Sequence, residues 1–222
     1  MIKMINKQKT ALVLIDMQKE SQFGIDQLDQ AVNNADRLIE AFREAGIPII
    51  YTRHLNRADG TNLSIGEPKK ENGEPVYYST AQENHKVIDK IAPASAEPVV
   101  DKHRWSAFYE TDLHEQLQEQ GIEHIFIGGF VTDGCLMTST FDAYFRNYQI
   151  NLVEDISGST NEGSHMASIL MMANWIYNLK VFSADKAIQW VQDKPVQVWE
   201  CPRPDSLPFT PENMREQFQK LL

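Results

Sequence analysis

The stretch that decides how this chain folds is GGFVTDGC, residues 128–135. It follows the apolar run Ile125-Phe126-Ile127 and precedes an amphipathic segment from Leu136 to Tyr148, a pattern that predicts a strand, a tight turn and a helix. The thiol of Cys135 is then expected on the first helical turn, where free N–H groups and the helix dipole favour negative charge. A thiol in that position is expected to lose its proton more easily, and the thiolate is a nucleophile.

The alternative interpretation of Cys135 is a buried structural cysteine, which is a common fate for a free thiol. The second cysteine, Cys201, is far away in the sequence and is interpreted as an incidental thiol. Two distant cysteines do not make a disulfide framework, so a reducing, cytoplasmic location is expected.

Composition narrows the classes of partner. The chain has 222 residues and a formal net charge of −10, with 42% hydrophobic residues. This acidic balance argues against binding to nucleic acid or to an anionic membrane, since both need a basic surface. The sequence has no apolar run near the roughly 18 residues that span a bilayer and no signal-peptide pattern, so no membrane partner is expected.

The order of predicted elements indicates the fold class. Short apolar runs alternate with amphipathic segments of helical length, which is typical of an α/β protein with a mostly parallel sheet covered on both faces. We therefore predict a three-layer α/β/α, Rossmann-like fold with six strands. The predicted strands are 11–15, 48–52, 98–102, 123–128, 149–154 and 179–182. The predicted helices are 25–45, 82–91, 112–120, 136–148, 161–175 and 184–191, with a short one from Glu212.

A single domain over residues 1–222 is expected, since this length suits one well-buried core. Its core is expected at about 10–190, and residues 192–222 form a proline-rich C-terminal arm. The polar stretch 55–79 is predicted to be a long loop, and loops of that length in compact domains are often functional.

Polar residues at three predicted strand ends suggest a chemical site. Ligands of such sheets bind at the carboxyl ends of the strands, where Asp16, Lys102 and Cys135 fall. Cys135 would attack, Asp16 would move the proton, and the charge of Lys102 would stabilise its anionic neighbours. The alternative interpretation is that Asp16 caps a turn and Lys102 is a solvated surface residue.

Four motifs in order resemble a known family. The sequence is similar to the isochorismatase-like cysteine hydrolases, which include nicotinamidases, N-carbamoylsarcosine amidase and ureidoacrylate hydrolases, over roughly residues 10–190. The motifs are ALVLIDMQ at 11–18, KHRWSAFYETDL at 102–113, GGFVTDGC at 128–135, and the pair Asp142-Ala143 followed by VED at 153–155. The resemblance implies the isochorismatase-like hydrolase fold, a small-molecule substrate and a homo-oligomer, either a dimer or a tetramer.

The resemblance also assigns roles to residues. It implies that Asp16 is the acid and base, that Lys102 is its partner and that Cys135 is the nucleophile. It further implies a cis peptide bond between Phe130 and Val131. The backbone N–H groups of Val131 and Cys135 would then form an oxyanion hole.

Departures from the family pattern bear on the substrate. The end of the second strand reads YTRHL at 51–55, without the Asp-x-His pair of the metal-dependent nicotinamidases, so we expect no metal and no other cofactor. The segment after the first motif, KESQFG at 19–24, also differs from the family pattern, which predicts a pocket wall with a different shape. The candidate pocket residues are Gln18, Phe23, His54 and Trp105.

Three functional hypotheses follow from these features. The leading one is a cysteine hydrolase that cleaves a C–N bond of a small amide or ureido compound through a Cys-Asp-Lys triad and a thioester intermediate. The first alternative is an isochorismatase-type hydrolase that protonates a vinyl ether through Asp16 and has no need of Cys135. The second is a non-catalytic relative that binds a metabolite.

Overall fold

A seven-stranded sheet forms the centre of the protein within residues 5–20 and 24–222, the parts of the chain that the computed structural model describes. The strands are β1 (Thr10–Ile15), β2 (Ile49–His54), β3 (Val99–Lys102), β4 (His124–Gly129), β5 (Gln149–Val153), β6 (Lys180–Phe182) and β7 (Trp199–Glu200). Their order across the sheet is β3-β2-β1-β4-β5-β6-β7. The first six are parallel, and β7 runs antiparallel to β6.

The predicted fold class is confirmed, but the predicted count of six strands is one too few. The extra strand, β7, lies in the segment that was predicted to be an extended arm. It has only two residues, and such a short edge strand carries no alternation of apolar and polar residues that a sequence pattern could reveal.

Helices cover both faces of the sheet. In the described residues they are α1 (Leu28–Glu44), α2 (Leu113–Glu119), α3 (Met137–Phe145), α4 (Glu162–Trp175), α5 (Ala184–Val191) and α6 (Met214–Gln219). Alternate residues of β1 point to opposite layers, because side chains alternate along a strand. Ala11, Val13 and Ile15 join the apolar cluster with α2, α3 and α4, whereas Leu12 and Leu14 join the cluster with α1 and α5.

The helix predicted at 82–91 does not form. The chain instead makes two single 3₁₀ turns, Glu83–His85 and Asp89–Ile91. Between them the backbone is bonded to the segment after β1: Lys19 N donates to Lys86 O at 2.9 Å, and Ile88 N donates to Met17 O at 3.0 Å. These long-range hydrogen bonds take the place of helical ones.

The chain after α5 packs back on the same core. Residues Leu207 and Leu221 are buried in the cluster on the α4 side. The side chain of Asn174 holds Leu207 from both sides, donating to its carbonyl at 3.0 Å and accepting from its N–H at 2.8 Å. No helix within residues 5–20 and 24–222 is both long enough and apolar enough to cross a lipid bilayer.

Close contact between β1 and β4 determines where the chain leaves β4 and enters the GGFVTDGC turn. Gly129 pairs with Ile15 in the sheet and has a φ of +128°, a region that glycine reaches at low cost. A Cβ atom on Gly129 would lie 2.1 Å from the carbonyl oxygen of Ile15. Only glycine therefore allows β4 to end directly beside the end of β1.

We predict that Gly129→Ala lowers the free energy of unfolding by more than about 3 kcal/mol, because it combines backbone strain with a clash against backbone atoms. Gly121→Ala is the matched control. Gly121 also has a positive φ, +67°, but nothing lies within 4 Å of its added Cβ. Its cost should stay near 1 kcal/mol, the cost of the strain alone. Urea unfolding of both variants measures the difference, and equal costs would show that the close approach is unimportant.

Candidate active site

Asp16, Lys102 and Cys135 come together at the carboxyl edge of the sheet. Lys102 Nζ lies 2.7 Å from Asp16 Oδ2, and the two side chains are 0% and 3% exposed. The Sγ of Cys135, a carboxylate oxygen of Asp16 and a ring nitrogen of His54 all lie within 4.8 Å of one another. The three strand ends singled out in the sequence thus form one group, in which Asp16 and Lys102 are buried and Cys135 is partly exposed.

The carboxylate of Asp16 is held on both of its oxygens. Thr52, on the neighbouring strand β2, donates its hydroxyl to Asp16 Oδ1 at 2.6 Å and accepts from the Asp16 N–H at 3.2 Å. Asp16 has a φ of 48°, a conformation that aspartate tolerates better than most residues. Thr52 was missed by the sequence analysis. The available signal was a polar residue that ends the otherwise apolar run Ile49-Ile50-Tyr51.

The Lys102 ammonium has several acceptors. Besides Asp16, it donates to the carbonyl of Arg104 at 2.9 Å and to His54 Nδ1 at 3.4 Å. Burial alone would lower the pKa of Lys102, but its interactions with Asp16 and Cys135 outweigh burial and raise the pKa of the ammonium overall. Lys102 is therefore a cation at neutral pH, and its complete burial excludes the alternative interpretation of a solvated surface lysine.

The Cys135 thiol does not lose its proton easily, which corrects the expectation from its place at a helix start. Burial, and then the negative charge of Asp16, raise its pKa to about 12, although Lys102 acts in the opposite direction. Cys135 also lies on a π-helical turn, Thr132–Leu136, that precedes α3. Burial of the thiol and the carboxylate beside the sulfur outweigh the favourable effect of a helix terminus on the thiolate.

The backbone around Cys135 is bonded to the neighbouring strand ends. The peptide bond between Phe130 and Val131 is cis. The Phe130 N–H donates to the carbonyl of Ile15 at 2.8 Å, and the Thr132 N–H donates to the carbonyl of Gly158 at 2.8 Å. These bonds fix the turn on both sides of Val131.

The side chains of Thr132 and Asp133 face away from the triad. Thr132 Oγ1 is 2.9 Å from His165 Nδ1, and Asp133 accepts a hydrogen bond from the hydroxyl of Ser159. The π-helical turn itself has no side-chain capping bond at its N-terminal flank, Val131. Thr132 and Asp133 both anchor the turn to the segment after β5.

The four candidate pocket residues fall in different surroundings. Gln18 is buried and clamps the backbone of His54, accepting from its N–H at 2.9 Å and donating to its carbonyl at 3.0 Å. His54 is buried beside Lys102. Trp105 is 65% exposed, so it does not belong to the buried group. Phe23 lies outside the described residues.

The residues of the site do not fit a resident metal ion. Asp16, His54 and Cys135 are the potential ligands that lie close enough together in residues 5–20 and 24–222. However, the Lys102 ammonium is already within hydrogen-bonding distance of both Asp16 and His54. A second cation there would be repelled by the first and would compete for the same lone pairs.

The isochorismatase domain family matches residues 10–183. Nicotinamidase 3 of Arabidopsis thaliana is 26% identical over 170 residues, covering 76% of this chain and 82% of that protein. The uncharacterized isochorismatase family protein YaaI of Bacillus subtilis is 29% identical over 181 residues, covering 78% of this chain and 93% of its own.

Solved structures agree with these sequence relatives. N-carbamoylsarcosine amidase from Thermoplasma acidophilum superposes with a TM-score of 0.65 at 28% identity, covering 80% of this chain and 97% of the other. A cysteine hydrolase from Pseudomonas syringae pv. phaseolicola has the same fold, with a TM-score of 0.76 at 23% identity, over 86% of this chain and 95% of the other. Taken with the domain match and the assembled strand-end group, these likenesses show that the chain belongs to the isochorismatase family of hydrolases.

Proposed function

We propose that this protein is a metal-independent cysteine hydrolase that cleaves the C–N bond of a small amide or ureido compound. The observation that carries the proposal is the placement of the Cys135 Sγ within 4.8 Å of an Asp16 carboxylate oxygen that is paired with a buried lysine. The names of two relatives, a nicotinamidase and an N-carbamoylsarcosine amidase, support C–N chemistry.

The first step is attack by the sulfur. Since the pKa of Cys135 is raised to about 12, little thiolate accumulates before the substrate binds. Asp16 takes the thiol proton as the sulfur bonds to the carbonyl carbon, and Lys102 stabilises the thiolate character that develops. The carbonyl electron pair moves to oxygen, where the N–H groups of Val131 and Cys135 are proposed to bind the oxyanion.

The tetrahedral intermediate then collapses to a thioester. The C–N bond breaks, and Asp16 returns its proton to the departing nitrogen, which leaves as ammonia or an amine. Water next attacks the thioester and gives a proton to Asp16. The C–S bond breaks, the sulfur recovers the proton, and the acid product leaves.

The proposal extends to a homo-oligomer, either a dimer or a tetramer. Large apolar side chains are exposed near α3 and the end of α4, and exposed apolar surface of this kind often marks a contact between proteins. They are Phe145, Met171, Trp175 and Tyr177. Mass photometry of the purified protein tests this part of the proposal.

Replacing the nucleophile should abolish hydrolysis. We expect wild type to release ammonia or amine from at least one member of a panel of small primary amides, ureido acids and nicotinamide, with a chelator present. Cys135→Ala and Cys135→Ser should lose at least about 10³-fold in rate, because the covalent path is removed. Cys201→Ala is the matched control and should retain full activity.

The same panel separates the alternative functions. Full activity of Cys135→Ala would contradict thiol chemistry. If a vinyl ether were the substrate, hydrolysis of that compound would survive Cys135→Ala and be lost in Asp16→Asn. A well-folded wild-type protein that hydrolyses neither class would favour a metabolite-binding role.

Replacing Asp16 should change turnover and thiol reactivity in opposite directions. Asp16→Asn removes the proton acceptor, so turnover should fall by about 10²–10⁴-fold. It also removes a negative charge that raises the pKa of Cys135, so the thiolate should form at lower pH. Alkylation of Cys135 by iodoacetamide at pH 8, followed by peptide mass spectrometry, should therefore become faster.

The matched control is Asp133→Asn, whose carboxylate faces Ser159 rather than the sulfur. It should leave the alkylation rate of Cys135 within about twofold of wild type, since the exposed Asp133 is not among the charges that shift the pKa of the thiol. Slower alkylation in Asp16→Asn than in wild type would rule out the assigned electrostatic role of Asp16.

A further inference from the structure

We propose that His54 is a positioning residue for the Cys135–Asp16–Lys102 group. Its neutral imidazole accepts a hydrogen bond from the Lys102 ammonium and so fixes the cation between the carboxylate and the sulfur. This inference rests on the proposed function and adds a role for His54 that is neither metal ligation nor contact with substrate.

The donor and acceptor roles follow from the chemistry of the two groups. A lysine ammonium can only donate hydrogen bonds. His54 Nδ1, which is 3.4 Å from Lys102 Nζ, must therefore be the acceptor and carry no proton. In the neutral ring the proton is then on Nε2, which faces Glu67 Oε1 at a distance of 3.9 Å.

Charges around the ring agree with a neutral imidazole. Burial, and next the positive charge of Lys102, lower the pKa of His54 to about 4. His103 acts in the same direction, whereas Asp16 and Glu67 oppose it. His54 therefore stays an acceptor from about pH 5 upward, because its charged form is already lost there.

Three acceptors fix the position of the Lys102 ammonium. Its N–H groups reach Asp16 Oδ2 at 2.7 Å, the Arg104 carbonyl at 2.9 Å and His54 Nδ1 at 3.4 Å. An ammonium on a four-carbon stem is otherwise free to turn and shift. Three acceptors on different elements fix the position of the ammonium. Because the stabilisation of the thiolate depends on that position, it is fixed as well.

His54 itself is held from two directions. Gln18 clamps its backbone N–H and carbonyl, and the ring of Tyr78 packs with its centroid 5.1 Å from the imidazole. Glu67 is anchored by the amide of Asn56 at 2.6 Å and by the Ser64 N–H at 2.9 Å. The long 55–79 loop therefore reaches the triad through the contact of Glu67 with His54.

The test compares two substitutions at position 54. The Oδ1 of asparagine lies near the place of Nδ1, so His54→Asn keeps an acceptor for Lys102, whereas His54→Leu keeps the bulk and removes the acceptor. The readout is the rate of Cys135 alkylation by iodoacetamide at pH 8, with Cys201 of the same molecule as internal control. Circular dichroism and thermal unfolding check that each variant is folded.

We expect alkylation of Cys135 at pH 8 to become about tenfold slower in His54→Leu, which corresponds to a rise of about one unit in the pKa of the thiol. His54→Asn should stay within about threefold of wild type, because the acceptor is retained. Glu67→Ala should slow alkylation by less, and Asp59→Ala, an exposed change on the same loop, should not slow it. Identical rates for His54→Leu and wild type would overturn the inference, as would equal decreases in His54→Leu and His54→Asn.

Alkylation needs no substrate, so its outcome can be told apart from the outcome of the hydrolysis assays. A protein that hydrolyses no compound of the panel, yet is alkylated more slowly in His54→Leu and recovers in His54→Asn, would refute the proposed hydrolysis and support the positioning role. Where a substrate is found, His54→Leu should lower kcat about tenfold with KM within twofold, because His54 acts on the nucleophile and not on the ligand. A rise in KM alone would instead make His54 a substrate contact and overturn the inference.

Discussion

The ion pair between Asp16 and Lys102 is the interaction on which the site depends. Two opposite charges are buried 2.7 Å apart, and removing them from water is costly unless every remaining lone pair and proton is satisfied. The surroundings meet this condition: Thr52 bonds the second oxygen of the carboxylate, and Arg104 and His54 accept from the ammonium. Strands β1, β2 and β3 must all be in register for this network to exist.

The same pair also influences how reactive the sulfur is. The Asp16 carboxylate, paired with Lys102, lies next to the thiol as its proposed proton acceptor. Burial, and next the negative charge of Asp16, raise the pKa of this thiol to about 12, while Lys102 acts in the opposite direction. Cys135 in the resting protein is therefore protonated, and a protonated thiol is far less exposed to oxidation or to random electrophiles than a thiolate.

Much of the fold followed from apolar periodicity, and the grouping of three polar side chains followed from the rule that parallel strands end at a common edge. Asp16, Lys102 and Cys135 each end or follow a recognisable strand, so their meeting was predictable. Thr52 was not, because its bond to Asp16 depends on the register in which Leu14 faces Tyr51 of the neighbouring strand.

Side-chain contacts made by loops were the least accessible to sequence reasoning. The contact of Glu67 with His54 depends on the path of a long loop, which has no periodicity to read. The failed helix at 82–91 has a related cause: its apolar spacing was suitable, but hydrogen bonds to residues 17–19 decided the conformation. Likewise, a helix terminus favours the thiolate of Cys135 locally, but burial and the charge of Asp16, which only the tertiary structure brings close, raise the pKa of the thiol.

The place of Lys102 in the sheet has a consequence for the protein under mild stress. β3 is a four-residue strand at the edge of the sheet, whereas the strands that precede Asp16 and Cys135 lie at its centre. Edge elements open by local fluctuations that need less free energy than global unfolding. Detachment of β3 would withdraw the cation and leave a buried carboxylate beside an intact thiol. Catalytic competence should thus be a more fragile property than the fold itself, lost in a part of the molecule that most probes of global structure would still report as native.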